Sequence, residues 1–202
     1  MVCLGNICRS PMAQGALENM VRERSLAVIV DSAGTENWHF NKSPDYRAQN
    51  VATSRGWEIS AQKARQILSS DFNNFDLILA MDGNNLANIE KIRPKNSKTP
   101  IRLLLEFSSM VNKNLPDPYY TNNFETVATL IEKSCKNFLN QYLICSGDRS
   151  FTWIGMFESE AAIAELRPHL VQQLDKIRDF LEEISPEIGI SDPASGPVIW
   201  TN

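Results

Sequence analysis

A cysteine and an arginine bracket a short loop at the start of the chain. Cys3 follows what reads as the end of a strand, and Arg9 stands six positions later, directly before Ser10 and Pro11. The residues that come next place apolar side chains at helical spacing, namely Met12, Ala13, Ala16, Leu17, Met20 and Val21. In a strand, loop and helix arrangement the loop amides and the helix N-terminus converge on one point and favour a bound anion. The start of the chain therefore predicts a phosphate-binding loop.

The residues inside this loop suit the transfer of a phosphoryl group. Gly5 and Asn6 readily adopt left-handed backbone conformations, which let the loop turn its amides inward. Arg9 carries a planar guanidinium that matches two phosphate oxygens. The same positive surroundings should stabilise a Cys3 thiolate as a nucleophile, to which the Ser10 hydroxyl can donate. The spacing alone is equally compatible with a buried structural Cys3 and a surface Arg9.

Attack on a phosphate monoester also requires an acid that protonates the leaving oxygen. Asp117 is the first candidate, because Pro116 and Pro118 restrict the backbone on either side of it, and Tyr119 and Tyr120 follow. The two aromatic side chains would suit an aryl phosphate. Because Asp-Pro also opens many ordinary turns, the pattern alone leaves a purely structural turn as the alternative.

Two further features are compatible with a site but do not require one. Asp82 follows the apolar run 76–81 and is a second candidate acid, although an aspartate at the end of a strand often caps the next helix. Trp38 and His39 lie on a predicted loop, where an exposed ring either lines a pocket or packs on the surface. Composition does not choose between these interpretations.

Apolar runs alternate with helical patterns along most of the chain. The runs 26–31, 76–81 and 101–105 are short and typical of strands that are buried on both faces. Ser43 and Pro44 form an N-cap and first-turn pair that predicts the start of a helix. Strands that alternate with helices predict an α/β fold with a parallel sheet.

A long helix should close this domain, and a different kind of sequence follows it. Apolar residues at helical spacing lead to a domain end near residue 145; they are Phe124, Val127, Ile131, Cys135, Phe138 and Tyr142. Cys135 is then a core residue. Residues 146–202 carry a second apolar stripe from Ile163 to Ile184, interrupted by Pro168, and a tail rich in proline, glycine and serine. We predict a domain at residues 1–145 and a helical extension of unknown role at 146–202.

Composition argues against several classes of partner and site. The net charge of −4 gives no general attraction to nucleic acid or to an anionic membrane. The sequence has neither an apolar run of about 18 residues nor the pattern of a signal peptide, so a cytoplasmic protein is expected. Four cysteines and two histidines, unevenly spaced, do not suggest a disulfide framework or a metal site. No metal and no organic cofactor are expected.

Motifs spread over residues 1–142 resemble the low-molecular-weight protein tyrosine phosphatases. In chain order these motifs are VCLGNICRSPMAQG, DSAGTENWH, SPDYRAQ, ARQI, DFNNFDLILAMDGNNL and LPDPYY. Several unrelated cysteine phosphatases share the cysteine and arginine spacing. An N-terminal nucleophile whose Asp-Pro acid lies more than a hundred residues downstream is particular to this family. The resemblance implies a doubly wound α/β fold with a four-stranded parallel sheet and a site at the carboxyl ends of the strands.

The resemblance also implies a role for each matching residue. Cys3 would be the nucleophile, Arg9 the phosphate clamp and Asp117 the general acid, and later the base for water. Cys8 would protect the nucleophile through a reversible disulfide. The loop would be supported by Gly5, Asn6, Ser10 and Ser32, and the pocket would be lined by Leu4, Ile7, Trp38, His39, Tyr119 and Tyr120.

Two relatives that share the fold and the loop fit less well. Arsenate reductases of this type relay a disulfide through cysteines in the region that here reads LILAMDGNNL, where this chain has none. Arginine phosphatases carry threonine at the position of Ile7, whereas a larger aliphatic residue goes with phosphotyrosine. The resemblance therefore favours a tyrosine phosphatase that acts on a phosphotyrosine protein or an aryl phosphate, as a monomer or weak dimer.

The chain departs from the family pattern at its start. Family members usually have several apolar residues before the VCxGNxCRSP element, whereas this sequence begins at Met1 and Val2. The first strand is therefore expected to be short, with fewer hydrogen bonds beneath the Cys3 loop. The alternative to an active phosphatase is a phosphate-binding or docking protein, in which the short strand has abolished catalysis and residues 146–202 supply the function.

Overall fold

The computed structural model describes residues 1–141 together with 144–146 and 150–152, all within the compact unit Met1–Ile154. Strands and helices alternate along most of these residues. The strands are β1 Val2–Cys3, β2 Ala33–Gly34, β3 Ile78–Ala80, β4 Ile101–Leu103, β5 Ile144–Ser146 and β6 Ser150–Thr152. The helices are α1 Arg9–Glu23, α2 Tyr46–Ser54, α3 Asp71–Asn74, α4 Gly83–Lys91, α5 Pro118–Thr121 and α6 Phe124–Gln141, with a 3₁₀ turn at Leu104–Phe107.

The first four strands form one parallel sheet in the order β2-β1-β3-β4. Val2 lies beside Ala33 on one side and beside Ala80 on the other, so β1 is bonded to both of its neighbours despite its length. The carbonyl of Cys3 continues the ladder and accepts a hydrogen bond of 2.9 Å from Thr35 N. The predicted α/β fold with a four-stranded parallel sheet is confirmed.

Side chains alternate between the two faces of the sheet, and helices cover each face. Cys3 and Leu79 belong to the larger core, where α1, α2 and α6 pack on one another. Val2 and Ile78, their neighbours in sequence, belong to the second core together with Ile89 of α4. Helices on both faces make this a doubly wound sheet.

The strand predicted at residues 26–31 is wrong. In the structure this segment is not part of any strand among the described residues, and Ile29 is 88% exposed. The strand on this side of the sheet is β2, which comes later in the chain. The register explains the difference: Ala33 lies beside Val2 and its amide donates to Met1 O, so no described strand lies beside the earlier residues. An apolar run cannot form a strand without a partner for its backbone groups.

The helix start predicted at Ser43 and Pro44 is also wrong. The N-cap of α2 is Asp45, whose carboxylate accepts a hydrogen bond from Arg47 N. The amide of Asp45 donates to Ile7 O at 2.8 Å, which anchors the chain to the phosphate loop just before the helix begins. The aspartate therefore determines the helix start, because its side chain satisfies an amide that the first turn leaves free.

The strand predicted at residues 101–105 ends earlier than expected. β4 stops at Leu103, and the 3₁₀ turn follows it directly. The turn places Leu104, Leu105 and Phe107 in the larger core, where α6 packs on it. These apolar residues are thus buried by a turn rather than by an extended strand.

The long helix predicted to close the domain is present as α6, which packs against α1. Cys135 is fully buried on it, which confirms that this cysteine is a core residue. The apolar stripe predicted within residues 146–202 lies outside the described residues. Beyond α6 the described residues are β5 and β6, which pair with each other in antiparallel fashion. No helix of the described part is long and apolar enough to cross a membrane.

Candidate active site

The loop between β1 and α1 surrounds the sulfur of Cys3. Asn6 N donates a hydrogen bond of 3.3 Å to Cys3 Sγ, and the Ser10 hydroxyl lies 3.0 Å from the same sulfur. The sheet holds the backbone of Cys3 through the bond that its carbonyl accepts from Thr35 N. Because α1 begins at Arg9, the positive end of the helix dipole also lies at this loop. The surroundings of the sulfur therefore favour the binding of an anion at this loop.

Asn6 organises the loop from beneath. Its backbone has a φ of 54°, a left-handed conformation that asparagine tolerates better than most residues. Its side-chain amide donates hydrogen bonds of 2.9 Å to the hydroxyls of Ser10 and Ser32, and its side-chain oxygen accepts one of 2.9 Å from Arg65 N. Asn6 is only 2% exposed, so these bonds form a dry network that fixes the loop to three other parts of the chain.

Asn6→Ala is expected to lower the free energy of unfolding by about 2–3 kcal/mol, because it leaves buried hydrogen-bonding groups unpaired. It should also weaken binding of inorganic phosphate by about tenfold, since the loop amides lose their fixed arrangement. Urea unfolding and titration calorimetry measure the two effects. Asn41→Ala is the matched control, because Asn41 is an exposed asparagine with a similar φ of 62°. Equal effects of the two variants would show that backbone strain, and not the network, is responsible.

Arg9 lies beneath the loop between two carboxylates. Its guanidinium donates to Asp82 Oδ2 at 2.6 Å, to Asp117 Oδ2 at 2.8 Å and to the carbonyl of Leu115 at 3.2 Å. The residue is 3% exposed. Burial lowers the pKa of Arg9, but the negative charges of Cys3, Asp117 and Asp82 outweigh this effect and raise the pKa overall. A charged, buried and hydrogen-bonded guanidinium at this position is suited to an anionic ligand.

Asp117 and Asp82, the two predicted candidate acids, occupy different places around Arg9. Asp117 is the N-cap of α5, where its carboxylate accepts a hydrogen bond of 3.1 Å from Tyr119 N, and it lines the same cavity as Cys3. Asp82 is the N-cap of α4 and lines a neighbouring cavity of about 430 Å³, which Arg9 and Asp117 also line but Cys3 does not. Geometry therefore favours Asp117 as the group that can reach a ligand above the sulfur.

The cavity above Cys3 has a volume of about 180 Å³ and gathers most of the predicted site residues. Its lining comprises Cys3, Leu4, Gly5, Ile7, Cys8, Arg9, Trp38, His39, Asp117, Tyr119 and Tyr120. The other predicted residues, Asn6, Ser10 and Ser32, form the buried network beneath it. The rim is aromatic and open to solvent, with Trp38 63% and Tyr120 79% exposed. Among the described residues, no group of His, Cys, Asp and Glu side chains could hold a metal ion.

Sequence reasoning missed several residues that shape this site. A Cβ at Gly34 would lie 2.7 Å from Leu4 O and 3.1 Å from Asn6 N, so only glycine leaves room for the phosphate loop there. The backbone N–H of Arg65 donates to the side-chain oxygen of Asn6. The Arg65 guanidinium forms ion pairs with Asp31 and Asp71, which hold this residue in place. Gly34 and Arg65 both lie within motifs of the family resemblance, DSAGTENWH and ARQI. The sequence alone did not indicate which atoms they contact.

Cys8 stands at the other end of the loop and is 4% exposed. Burial raises the pKa of its thiol, and the negative charges of Asp45, Cys3 and Asp117 raise it further. Burial also raises the pKa of Cys135, to about 12. All three cysteines of residues 1–141 are free thiols. Cys8 is therefore expected to be a neutral thiol at physiological pH.

Alkylation of Cys8 by iodoacetamide is expected to accelerate about tenfold per pH unit between about pH 7 and 9. The thiolate is the reactive form, and below a raised pKa its fraction grows in proportion to hydroxide concentration. Mass spectrometry with fragmentation separates modification of Cys8 from that of Cys3. Cys135 is the control, because it is fully buried and should react more slowly at every pH. A rate for Cys8 that is independent of pH would contradict the raised pKa.

Comparison with known proteins finds relatives over most of the chain. The model of the family "Low molecular weight phosphotyrosine protein phosphatase" matches residues 1–144. The low molecular weight protein-tyrosine-phosphatase PtpA of Staphylococcus saprophyticus is 41% identical over 140 residues, which are 69% of this chain and 89% of that protein. The crystal structure of YfkJ from Bacillus subtilis is 37% identical, with a TM-score of 0.65, over 68% of this chain and 89% of that one.

The fold is also similar to the crystal structure of the Drosophila arginine phosphatase DARP. That structure is 34% identical, with a TM-score of 0.65, over 73% of this chain and 97% of the other. The family match spans the phosphate loop, the sheet and the segment that carries Asp117, which are the parts that build the cavity. The chain therefore belongs to the low molecular weight phosphotyrosine protein phosphatase family.

Proposed function

We propose that this protein is a protein tyrosine phosphatase that hydrolyses phosphate monoesters through a phosphocysteine intermediate on Cys3. The observation that carries the proposal is the convergence of three groups on one cavity: the Cys3 sulfur, the Arg9 guanidinium and the Asp117 carboxylate. These are a nucleophile, a cationic clamp and a proton donor, which is the set of groups that transfer of a phosphoryl group to sulfur requires.

In the first step the Cys3 thiolate attacks phosphorus. A sulfur–phosphorus bond forms, the bond from phosphorus to the ester oxygen breaks, and protonated Asp117 gives its proton to that oxygen. Arg9 and the loop amides bind the three remaining oxygens, on which charge is spread in the transition state. The ion pair between Arg9 and Asp117 spans 2.8 Å, so the clamp and the acid already lie side by side.

In the second step water releases the phosphate. Asp117, now a carboxylate, takes a proton from the water that attacks phosphorus, the sulfur–phosphorus bond breaks, and inorganic phosphate leaves. The Ser10 hydroxyl lies 3.0 Å from Cys3 Sγ and can donate to the thiolate as it departs. The products are a free enzyme and one inorganic phosphate, so the cycle needs neither a metal nor an organic cofactor.

The shape of the cavity supports phosphotyrosine in a protein as the substrate. Trp38, Tyr119 and Tyr120 line the rim and can stack on a phenyl ring, while Cys3 lies at the base. Ile7 lines the same cavity with an aliphatic side chain, which favours an aromatic substrate over the polar guanidinium of phosphoarginine. DARP is named an arginine phosphatase. For this chain we propose phosphotyrosine, with aryl phosphates as small substitutes.

The proposal also covers the domain bounds, the compartment and the role of Cys8. We place the whole catalytic apparatus in a domain of residues 1–145, because every group above precedes residue 121, and we assign no catalytic role to residues 146–202. We place the enzyme in the cytoplasm, since the nucleophile must stay a reduced thiol, and propose that it is a monomer or weak dimer. Cys8 lines the cavity beside Cys3 and is proposed as the partner of a reversible protective disulfide.

The test is release of inorganic phosphate from three peptides of one sequence that carry phosphotyrosine, phosphoserine or phosphoarginine. We expect phosphotyrosine to react with a kcat/KM at least about 100-fold higher than the other two. Binding of the ring favours it over both, and the phenol also leaves more readily than the serine alkoxide. Rapid acid quenching should leave one phosphoryl group on the peptide that contains Cys3. Faster release from phosphoarginine would reassign the substrate, and a folded protein that releases no phosphate would support the docking alternative.

A further inference from the structure

Arg47, in the first turn of α2, joins the phosphate loop to the segment that carries Asp117. On the side of the loop, its guanidinium forms a two-pronged ion pair with Asp45, with Nε to Oδ1 at 3.0 Å and Nη2 to Oδ2 at 2.8 Å. Hydrogen bonding to Arg47 holds the pKa of the Asp45 carboxyl below its usual value. Asp45 in turn donates its amide to Ile7 O, inside the loop, at 2.8 Å. The Arg47 guanidinium is thus linked to the phosphate loop through Asp45.

On its other side Arg47 contacts both ends of α5. Nη1 donates to Asn122 Oδ1 at 3.2 Å, and to Tyr119 O at 3.5 Å, the outer limit for such a bond. The guanidinium also lies over the rings of Tyr119 and Phe124, at 5.4 and 4.7 Å from their centroids. Asn122 has a φ of 57° and ends α5 in the left-handed conformation. These contacts fix the single turn that follows Asp117.

We propose that Arg47 is a positioning residue that holds α5 against the phosphate loop, so that Asp117 delivers its proton to the leaving oxygen. This inference rests on the proposed function. Such a residue is needed because α5 has only four residues and its N-cap is the acid itself. Any movement of α5 therefore moves the Asp117 carboxylate.

Arg9 also holds Asp117 in place, and the substrate competes with Asp117 for Arg9. In the structure Arg9 Nη2 donates to Asp117 Oδ2 at 2.8 Å. When a phosphate occupies the loop, the Arg9 guanidinium is shared with phosphate oxygens, and a protonated Asp117 no longer forms an ion pair with it. The position of the acid then depends on the buried residues Leu115 and Pro118 that flank it, on α5 and on the contacts of Arg47. A displacement of about 1 Å at a catalytic group can reduce a rate by about 100-fold.

The test compares substrates that need the acid to different degrees. Phenyl phosphate expels a phenol with a pKa of about 10 and depends on protonation, whereas 2,4-dinitrophenyl phosphate expels a far more acidic phenol and does not. Arg47→Met keeps an unbranched apolar stem and removes the guanidinium with its charge and donors. We expect it to lower kcat/KM for phenyl phosphate by about 10- to 100-fold and for dinitrophenyl phosphate by less than about threefold.

Two companion variants make the result specific. Arg55→Met is the matched control: like Arg47, Arg55 forms ion pairs and lies over a ring. Its ion pairs are with Glu125 and Glu132 of α6 and its ring contact is with Trp57, rather than with α5. This variant should leave the ratio of the two rates unchanged. Arg47→Lys retains the charge without the fork and should restore part of the phenyl phosphate rate.

The outcomes separate this inference from the proposed function. If the wild-type protein hydrolyses neither ester in a Cys3-dependent way, the proposed function is wrong. If it hydrolyses both but Arg47→Met slows them equally, or not at all, the positioning role is wrong. Should Arg47→Met not fold, Asn122→Gly decides, because it removes the acceptor of Arg47 while glycine suits the positive φ. We expect a selective loss of about threefold or more for phenyl phosphate in that variant, and an unchanged ratio would overturn the inference.

Discussion

Cys3→Ser is expected to reduce turnover of para-nitrophenyl phosphate by about 10⁴-fold or more, while inorganic phosphate still binds with an affinity close to that of the wild type. A serine hydroxyl stays protonated at neutral pH and is a far weaker nucleophile than a thiolate. The groups that bind the anion, which are the loop amides and the Arg9 guanidinium, are not altered. Steady-state kinetics and calorimetric titration of phosphate measure the two quantities on the same sample.

The structure also provides the control for this variant. Cys135 is a fully buried thiol on α6, on the same core side of the sheet as Cys3. Cys135→Ala should leave kcat per folded molecule within about twofold, although it removes buried volume and lowers the free energy of unfolding by about 1 kcal/mol. If Cys3→Ser keeps its turnover, another group is the nucleophile. If it loses phosphate binding as well, its loop is disrupted and the kinetic result says nothing about sulfur.

Asp117→Asn is expected to lower kcat/KM for phenyl phosphate by about 10²- to 10⁴-fold, because an amide cannot give a proton to the leaving oxygen. Asparagine also caps helices well, so α5 should remain in place and the free energy of unfolding should change little. The loss should be much smaller for 2,4-dinitrophenyl phosphate. Measuring kcat/KM for both esters, rather than kcat, restricts the comparison to the steps up to departure of the phenol.

Asp82→Asn is the matched control for the acid. Asp82 is the other carboxylate on Arg9, at 2.6 Å, and it also caps a helix, but it does not line the cavity above Cys3. Its replacement should slow both esters by similar factors, because it alters the clamp and not the proton donor. A selective loss in Asp82→Asn, together with a uniform loss in Asp117→Asn, would exchange the assignments of the two carboxylates.

Most of the fold was predictable from apolar runs and helical spacing, and the largest exception comes from strand pairing. The runs that contain β3 and β4 form strands because partners lie beside them in the sheet. The run at residues 26–31 is as apolar, yet the register of β2 on β1 leaves it outside the sheet, with Ile29 in solvent. Pairing depends on the neighbour as well as on the segment itself.

Residue types and their order predict the chemistry of the loop at the start of the chain. Cysteine, glycine, asparagine and arginine lie within seven residues there, and their backbone preferences and donors act over that short range. The ordered motifs downstream then identified the family, and with it the expected acid at Asp117. These inferences needed only residue types and their order.

Which distant groups meet depends on the packing of the whole fold. Arg9 lies between Asp82 and Asp117, which are 73 and 108 positions away along the chain, and the packing of α4 and α5 determines which of the two faces Cys3. The contacts of Arg47 likewise join α2 to α5, across more than seventy residues. Local preferences act within a few residues, whereas ångström distances between remote side chains depend on how every intervening element packs.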